Sequence, residues 1–335
     1  MTELNIRRAG RAGRITLTRP QVLNALSHEM TRIIYAALEE WRDDPEIDLV
    51  IIDAEGSRAF CAGGDVSALH RAALAGDHDN GRRFFADEYR MNAAIHDWPK
   101  PIVAFMQGFV MGGGVGVGGH ASHRIVGDST QMAMPEAGIG LIPDVGSTWL
   151  LARAPGRIGE YLGLTGARIG AGDAIHAGFA DIYLPESEWP DLIRRLENTG
   201  NVALIESEDI PSAPLQTRDL APFAADTVAE IMQALDRAGD TEPLNALRRN
   251  SPLSLGAALQ AIRAARDDAR MQDSLSREYR FSWRATQSSD LMEGVRAQII
   301  DKDRNPKWRA DASPEHIRAM LAPLGKDELQ WSKTA

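Results

Sequence analysis

The sequence is poor in cysteine and in long apolar runs, and its charged residues are biased towards acids. The 335 residues include one cysteine, Cys61, so no internal disulfide can form and a reducing compartment fits. No run of about 18 apolar residues occurs, which excludes a membrane-spanning helix. The net charge of −10 argues against broad nucleic-acid binding, because a phosphate-binding surface needs clustered lysine and arginine. The start of the chain lacks the apolar stretch of a signal peptide, and we therefore expect a cytoplasmic protein without a membrane partner.

The motifs of several common enzyme classes are also missing. The sequence contains no G-x-S-x-G, C-x-x-C, H-E-x-x-H or P-loop pattern. His120 and His123 lie close in sequence, but no acid or thiol nearby completes a metal site, so none is expected. Cys61 lies between Phe60 and Ala62 and is interpreted as a small packing residue rather than a nucleophile.

The order of apolar segments predicts an α/β fold whose organisation changes near residue 200. Strands are predicted at 6–8, 14–18, 49–53, 102–106, 124–126 and 181–184, and helices at 28–43, 82–97, 146–154, 158–164 and 171–177. Such βα alternation favours a mostly parallel sheet with helical cover. From residue 187 onward the pattern predicts helices alone, at 191–198, 226–238, 242–249, 252–271, 274–286, 292–300 and 314–321. Residues 1–200 are interpreted as the core and residues 201–335 as a mainly helical region.

Two acidic residues stand in an otherwise apolar stretch that is rich in glycine and proline. Glu136 and Asp144 belong to the segment 134–146, which reads MPEAGIGLIPDVG. Desolvation in such surroundings raises the pKa of a carboxyl group and suits it to proton transfer. The pattern also fits two loop acids, one of which caps the following helix. The segment is therefore a candidate catalytic site with a structural alternative.

Two glycine-rich loops each follow a predicted buried strand. The first, at 59–65, reads AFCAGGD, and the second, at 111–116, reads MGGGVG. Backbone N–H groups at a strand-to-helix turn can point two donors at one carbonyl oxygen, which is an oxyanion hole. Tight turns and close helix packing would explain either loop alone. The formal G-x-G-x-x-G match at 114–119 stands apart from its preceding strand, which disfavours an NAD-linked oxidoreductase.

Together these segments resemble the crotonase superfamily, the enoyl-CoA hydratase/isomerase fold, over nearly the whole chain. The resemblance is carried by the entry motif at 17–26 (LTRPQVLNAL), by both glycine loops and by the segment 134–146. That segment and the tail at 293–308 (EGVRAQIIDKDRNPKW) most resemble the 3-hydroxyisobutyryl-CoA hydrolase branch. The resemblance implies a ClpP-like spiral of ββα units as a core that binds a CoA thioester, with a C-terminal helical region.

The resemblance also implies roles for individual residues. The N–H groups of Gly64 and Gly113 would form the oxyanion hole, and Glu136 and Asp144 would be the catalytic carboxylates. The residues expected to bind substrate are Glu88, which matches a substrate-contacting acid of the hydrolases, together with Ala25, Ala62 and Asp65. The expected partner is an acyl-CoA substrate, and no cofactor is expected because CoA is part of that substrate.

One glycine separates two reactions within the superfamily. Hydratases that use two glutamates carry one of them two residues after the glycine triplet, where this chain has Gly116, whereas Asp144 stands where hydratases usually have glycine. The resemblance therefore implies hydrolysis of a short-chain 3-hydroxyacyl-CoA thioester, foremost 3-hydroxyisobutyryl-CoA. The alternative is an isomerase or hydratase that acts through Glu136 alone. A non-catalytic CoA-binding scaffold is disfavoured, because both carboxylates and both loops are present.

Several assignments stay open at this level. Glu136 would act as nucleophile or as general base, and Asp144 would position or deprotonate water, protonate the departing thiolate or hold the 3-hydroxyl group. Arg19 and Arg58 are candidates for the CoA phosphates because arginine suits phosphate recognition. The oligomeric state stays open, a homo-oligomer included, and the pathway implied by the resemblance is valine breakdown.

Overall fold

The computed structural model describes residues 3–309 and 312–331. The strands are β1 (Leu4–Ala9), β2 (Ala12–Leu17), β3 (Leu49–Ala54), β4 (Ala59–Cys61), β5 (Ile102–Met106), β6 (Phe109–Met111), β7 (His123–Val126), β8 (Gln131–Ala133) and β9 (Ile182–Tyr183). The helices are α1 (His28–Trp41), α2 (Val66–Leu74), α3 (His78–His96), α4 (Gly113–Gly118), α5 (Ser147–Arg153), α6 (Ile158–Thr165), α7 (Ala171–His176), α8 (Trp189–Thr199), α9 (Val228–Ala238), α10 (Thr241–Arg249), α11 (Pro252–Ala264), α12 (Met271–Ser288), α13 (Leu291–Val295) and α14 (Pro314–Leu321). Residues 1 and 2, at the start of the chain where no signal peptide is predicted, lie outside the described residues. So do residues 310, 311 and 332–335, which belong to the predicted helical region.

The chain forms two compact units that interleave along the sequence. The first unit contains the residues up to Gly64 together with Arg90–Ala133 and Arg168–Thr217. The second unit contains Asp65–Tyr89, Met134–Ala167 and the residues from Arg218 onward. The predicted division at residue 200 stays a prediction about the organisation of the sequence.

Both sheets belong to the first unit. The larger sheet has the order β1-β2-β3-β5-β7-β9, in which β1 and β2 form an antiparallel hairpin and the other neighbours are parallel. The smaller sheet, β4-β6-β8, is parallel throughout. Strands buried on both faces read as continuous apolar runs, as Leu49 to Ile52 do. The predicted α/β class with a mostly parallel sheet is therefore confirmed.

Helices make up most of the second unit, and their starts follow capping rules. The Ser251 hydroxyl accepts a hydrogen bond from the N–H of Ser254 at the start of α11, and Thr227 with Glu230 forms a capping box on α9. In α12 the apolar residues recur at helical spacing, so one face of this helix is buried. Helices α5, α6, α11 and α12 pack against one another and form the surroundings of the site described below.

The predicted helix at 252–271 was wrong in its extent. Helix α11 ends at Ala264, a 3₁₀ turn follows at Ala265–Asp267, and α12 begins at Met271. The break coincides with Asp268, whose carboxylate accepts hydrogen bonds from Arg277 at 2.6 and 2.8 Å and from the Ser274 hydroxyl. The predicted helix at 292–300 changes after α13 into a single π-helical segment, Arg296–Ile300. Among the described residues, no helix combines the length and apolar character needed to cross a membrane.

Candidate active site

Glu136 lies on a short 3₁₀ turn of the second unit, Glu136–Ile139, that begins directly after Pro135. Gly140 ends the turn in the left-handed conformation, with a φ of 80°. A Cβ atom at this position would lie 2.3 Å from the backbone carbonyl carbon of Asp290. Glycine is therefore required at 140 both by the backbone conformation and by the space available.

The C-terminal helices of the same unit hold this turn in place. The backbone N–H of Ser251 donates to the carbonyl oxygen of Ala137 at 3.0 Å, and the Ser289 hydroxyl donates to that of Gly140 at 3.1 Å. Gly294 on α13 comes so close that a Cβ atom there would lie 2.2 Å from the Ile139 carbonyl oxygen. Residues far along the chain therefore fix the backbone that carries Glu136.

Asp144 opens a strained connection into α5. Val145 has a φ of 56° and Gly146 a φ of 80°, so two successive residues adopt the left-handed conformation. For a β-branched residue such as Val145 this conformation is a genuine outlier, which costs about 1–2 kcal/mol. Such strain concentrates at functional sites, where the surrounding structure enforces it.

A buried acid from α12 stabilises the strained connection. The Glu278 side chain is fully buried and accepts hydrogen bonds from the backbone N–H of Gly146 at 2.7 Å and of Thr148 at 3.0 Å. It also accepts one from the Thr148 hydroxyl. Burial raises the pKa of Glu278 to about 7, although these hydrogen bonds lower it. Glu278 therefore caps α5 from another helix and holds the backbone that follows Asp144.

The second unit brings together three of the predicted site residues, Glu88 from α3, Glu136 and Asp144. Their exposed fractions are 2%, 6% and 4%, and the charge of Asp144 raises the pKa of both glutamates. Glu88 Oε1 and Glu136 Oε2 are buried and have no hydrogen-bond partner among the described residues. Both oxygen atoms can therefore form hydrogen bonds to a bound molecule.

Burial acts on the three carboxyl groups to different extents. It raises the pKa of Glu88 and of Glu136 well above the ordinary value, and the charge of Asp144 raises both further. Burial raises the pKa of Asp144 to about 7, while the hydrogen bond from the Tyr89 hydroxyl lowers it and the charge of Glu278 raises it. Burial therefore favours the protonated form of all three groups, and the hydrogen bond from Tyr89 favours ionisation of Asp144.

The two glycine loops lie next to each other in the first unit. A Cβ atom at Gly63, whose φ is 108°, would lie 3.4 Å from the Met111 carbonyl oxygen and 3.9 Å from the Gly113 nitrogen. Gly113 is the first residue of α4, and the first N–H groups of a helix have no partner within it. Gly64 follows Gly63, whose carbonyl oxygen accepts a hydrogen bond from the Leu26 N–H at 2.9 Å. The first unit therefore brings together the two predicted donors, Gly64 and Gly113.

The remaining candidates support the loops. The Ala62 N–H donates to the Leu23 carbonyl oxygen at 3.0 Å, and the Ala25 carbonyl oxygen accepts from the Arg19 guanidinium at 2.8 Å. Arg19 also pairs with Glu3 at 3.3 Å, so its guanidinium has internal partners, whereas Arg58 is exposed. Asp65 belongs to the second unit, where its side chain caps α2 by accepting from the Ala68 N–H at 3.4 Å.

Sequence reasoning missed three residues that surround Asp144, namely Tyr89, Ser282 and Glu278. Tyr89 directly follows Glu88, and its hydroxyl lies 2.7 Å from Asp144 Oδ2. Glu278 and Ser282 lie on the buried face of α12 together with Leu275 and Ala285. An acid and a hydroxyl at helical spacing within an apolar face were the available signal.

The described residues offer no group of three or more histidine, cysteine, aspartate or glutamate side chains that could hold a metal ion. The site's polar groups are carboxyl, hydroxyl and backbone groups, which suit proton transfer and hydrogen bonding to a carbonyl oxygen.

Comparison with known proteins adds a second line of support. Residues 12–322 match the family described as enoyl-CoA hydratase/isomerase. A relative from Gallus gallus, named 3-hydroxyisobutyryl-CoA hydrolase, mitochondrial, is 38% identical over 97% of this chain and 90% of its own. The structure of an enoyl-CoA hydratase from Rhodobacter sphaeroides is 52% identical, with a TM-score of 0.95 over 98% of this chain and 100% of its own. That of a carnitinyl-CoA dehydratase from Mycobacterium thermoresistibile is 39% identical, with a TM-score of 0.93 over 99% and 100%.

Proposed function

Because the chain belongs to the enoyl-CoA hydratase/isomerase family and has its crotonase fold, we propose that it hydrolyses a short-chain 3-hydroxyacyl-CoA thioester to the free acid and CoA. The substrate we propose is 3-hydroxyisobutyryl-CoA, the acyl-CoA in the name of the relative from Gallus gallus. That relative is similar over nearly the full length of both chains, so the proposal concerns the whole protein rather than one part of it.

The observation that carries the proposal is a cluster of buried carboxyl groups in which Glu88 Oε1 and Glu136 Oε2 have no partner among the described residues and Asp144 accepts a hydrogen bond from Tyr89. Asp144, with a pKa of about 7, can accept a proton near neutral pH, whereas burial and the charge of Asp144 raise the pKa of Glu136 and of Glu88 well above the ordinary value and favour their neutral forms. Two titratable groups whose surroundings push their pKa values apart are suited to act as base and acid. The two roles predicted for Glu136, nucleophile and general base, both require an ionised carboxyl group. We therefore assign Glu136 instead the role of proton donor to the departing thiolate, which was predicted as one role of Asp144.

In the proposed reaction Asp144 takes a proton from water while the water oxygen attacks the thioester carbonyl carbon. The N–H groups of Gly64 and Gly113 donate to the carbonyl oxygen, and loss of one such donor costs about 3–4 kcal/mol of barrier. When the C–S bond breaks, Glu136 gives its proton to the departing sulfur, and the proton on Asp144 restores Glu136. The products are the free acid and the CoA thiol, and no proton is gained or lost by the protein over the cycle.

Glu88 supplies the proposed recognition of the acyl group. A neutral carboxyl group can donate one hydrogen bond and accept another, which fits a hydroxyl group on the acyl chain. Glu88 is held neutral by burial and by the charge of Asp144, and its Oε1 atom has no partner among the described residues. Glu88 is therefore assigned to the 3-hydroxyl group of the substrate.

A second candidate function is favoured by one comparison. The Rhodobacter sphaeroides structure is named an enoyl-CoA hydratase and is 52% identical to this chain. A hydratase that uses two glutamates would need an acid at Gly116, which lies buried within α4 and has no side chain. Addition of water to a double bond through Glu136 alone is therefore the alternative, and it releases no thiol.

Thiol release distinguishes the two functions. The purified protein is given (S)-3-hydroxyisobutyryl-CoA with a thiol-reactive dye, and separately crotonyl-CoA with the enoyl absorbance recorded. The one thiol of the chain, Cys61, is buried and adds at most one equivalent to the dye signal. Multiple turnovers of thiol release without hydration support the hydrolase, whereas hydration without thiol release would support the alternative.

The Glu136→Gln variant tests the proposed proton donor. Glutamine keeps the shape of a neutral glutamic acid but cannot transfer a proton, so kcat for thiol release is expected to fall by about 10²- to 10⁴-fold. Binding of the CoA ester, measured by calorimetry, is expected to stay within about threefold, because the substitution preserves hydrogen bonding. Full turnover by this variant would contradict the role of Glu136.

We also propose a compartment, a pathway and an oligomeric state for this protein. We keep the predicted cytoplasmic location as a proposal, which the single cysteine supports because it suits a reducing compartment, whereas the name of the Gallus gallus relative places that protein in mitochondria. A place in valine breakdown follows from the proposed substrate. Cell fractionation and light scattering would test the compartment and the formation of a homo-oligomer.

A further inference from the structure

Tyr89 contacts Asp144 in the interior of the second unit. Its side chain is fully buried, and its hydroxyl oxygen lies 2.7 Å from Asp144 Oδ2 and 3.0 Å from the Ser282 hydroxyl oxygen. We infer that Tyr89 is a positioning residue that holds Asp144 by Oδ2 in its ionised form and leaves Oδ1 to take the proton from water. This inference rests on the proposed function, because it concerns the base of that reaction.

The neighbouring hydrogen bonds determine which group donates in the contact between Tyr89 and Asp144. The Ser282 hydroxyl lies 3.1 Å from the Glu278 carbonyl oxygen and 3.3 Å from that of Tyr279, so its one proton is used within α12. Ser282 then acts towards Tyr89 only as an acceptor. Tyr89 has one proton for two acceptors, and an ionised carboxylate is the stronger of the two. The Tyr89 hydroxyl therefore donates to Asp144 when Asp144 is ionised and can turn to Ser282 when it is protonated.

The surrounding charges make this contact important. Asp144 is faced by Glu88 from α3, by Glu136 from the 3₁₀ turn and by Glu278 from α12, which are all acids. The negative charge of Glu278 and the burial of the site favour protonated Asp144. The hydrogen bonds of Tyr89 and of the Asp144 backbone act in the opposite direction and lower its pKa. Without the Tyr89 hydroxyl, the base would be protonated over a wider range of pH.

The Tyr89 ring is held independently of its hydroxyl group. Its centroid lies 6.1 Å from that of Phe85 and 6.2 Å from that of Tyr279, which meets it edge-on. Such aromatic pairs prefer tilted and edge-to-face arrangements, which phenylalanine can also adopt. The Tyr89→Phe variant therefore removes one oxygen atom and leaves the packing, and circular dichroism would verify that the variant is folded.

The test is the pH dependence of thiol release by Tyr89→Phe. The limb of the kcat profile that reports ionisation of Asp144 is expected to move up by about one pH unit, because hydrogen bonds to charged groups are the strong ones. At pH 7 kcat is expected to fall about fivefold and to recover at higher pH, with KM within about twofold. A loss of kcat that is equal at every pH would overturn the inference, since it would indicate a structural role only.

Two further variants make the test specific to Asp144. Tyr279→Phe is the matched control, because its hydroxyl lies 3.5 Å from the Arg82 carbonyl oxygen and its ring contacts Tyr89. It is expected to leave the pH profile unchanged. Ser282→Ala is expected to shift the profile in the opposite direction to Tyr89→Phe and by less, because Asp144 is then left as the acceptor of the Tyr89 proton. An equal shift in Tyr279→Phe would contradict a role for the Tyr89 hydroxyl.

A readout without substrate separates this inference from the proposed function. The pH dependence of the unfolding free energy is measured for Tyr89→Phe, in the wild-type chain and in the Asp144→Asn background. The Tyr89 substitution is expected to move the pH at which Asp144 ionises upward in the first case and to change nothing in the second. If the wild type releases no thiol but this difference is found, the function fails and the contact between Tyr89 and Asp144 stands. If the shift is the same in both backgrounds, the inference fails whatever the substrate is.

Discussion

At the scale of single residues, one cluster contains three acids with different surroundings. Glu88 and Glu136 each have a buried oxygen atom without a partner among the described residues, whereas Asp144 accepts a hydrogen bond from Tyr89. The hydrogen bond from Tyr89 lowers the pKa of Asp144, whereas the charge of Asp144 raises the pKa of both glutamates. Replacement of an acid by its matching amide is therefore expected to affect activity differently at each of the three positions.

At Glu88 we predict that replacement of the acid by its amide has only a small effect on KM. Because burial keeps Glu88 neutral, Glu88→Gln imitates its natural state, and KM for the 3-hydroxyacyl-CoA is expected to rise by about twofold to threefold. Glu88→Ala leaves the substrate hydroxyl without its partner and is expected to raise KM about tenfold. Steady-state thiol release measures both values. Equal losses for Gln and Ala would show that Glu88 acts as an ion.

At the scale of secondary-structure elements, the site depends on a close contact between a short helix and a turn. Gly294 on α13 lies against Ile139 at the end of the turn that carries Glu136. Alanine is normally the better helix former by roughly 1 kcal/mol. At position 294 a Cβ atom would lie 2.2 Å from a backbone oxygen atom. A backbone oxygen cannot avoid this contact by a change of rotamer.

We therefore predict that Gly294→Ala lowers the unfolding free energy by about 1–3 kcal/mol, the range for overpacking. Thiol release should fall as well, because the turn that carries Glu136 must shift. Gly81→Ala on α3 is the matched control, since its Cβ atom would come no closer than 3.4 Å to Thr286 Cγ2. That control is expected to gain about 0.5–1 kcal/mol. Urea denaturation measures both variants, and a gain in Gly294→Ala would contradict the contact.

At the scale of the whole molecule, the buried carboxyl groups link stability to pH. The pKa of Asp144 is raised by burial from 3.8 to about 7, so the folded state holds this proton more tightly than the unfolded chain. Stability from this group is therefore complete below pH 3.8 and decreases as the pH rises towards 7. Asp268 acts oppositely: burial raises its pKa, but hydrogen bonds from Arg277 and Ser274 outweigh burial and lower it.

We predict that Asp144→Asn removes this dependence. Between pH 5 and pH 8 the unfolding free energy of the variant, relative to wild type, is expected to increase by roughly 3 kcal/mol. Chemical denaturation at the two pH values measures the change. Glu206→Gln, at an exposed side chain, is the control and should leave the difference near zero. A pH-independent difference for Asp144→Asn would contradict the raised pKa.

The sequence by itself determined what depends on neighbouring residues. The hairpin of β1 and β2, the strands β3 and β5 and the start of α1 at Ser27 follow from apolar periodicity and capping, which act over a few residues. The apolar surroundings of Glu136 and Asp144 were also visible, because burial of a segment is encoded in its own composition. The crotonase fold, indicated by short motifs, is confirmed.

Only the tertiary structure decided which distant groups meet. The three-residue strands β4, β6 and β8 are too short for a period to be recognised, and they exist because they pair with one another. Glu278 contacts Gly146, which lies 132 residues away in the sequence, and Ser282 contacts Tyr89, which lies 193 residues away. At such sequence separations no local pattern specifies a contact. The burial of Glu136 and Asp144 was therefore encoded locally, whereas long-range packing supplied the Tyr89 hydroxyl and the Glu278 charge, which act together with burial on the pKa of Asp144.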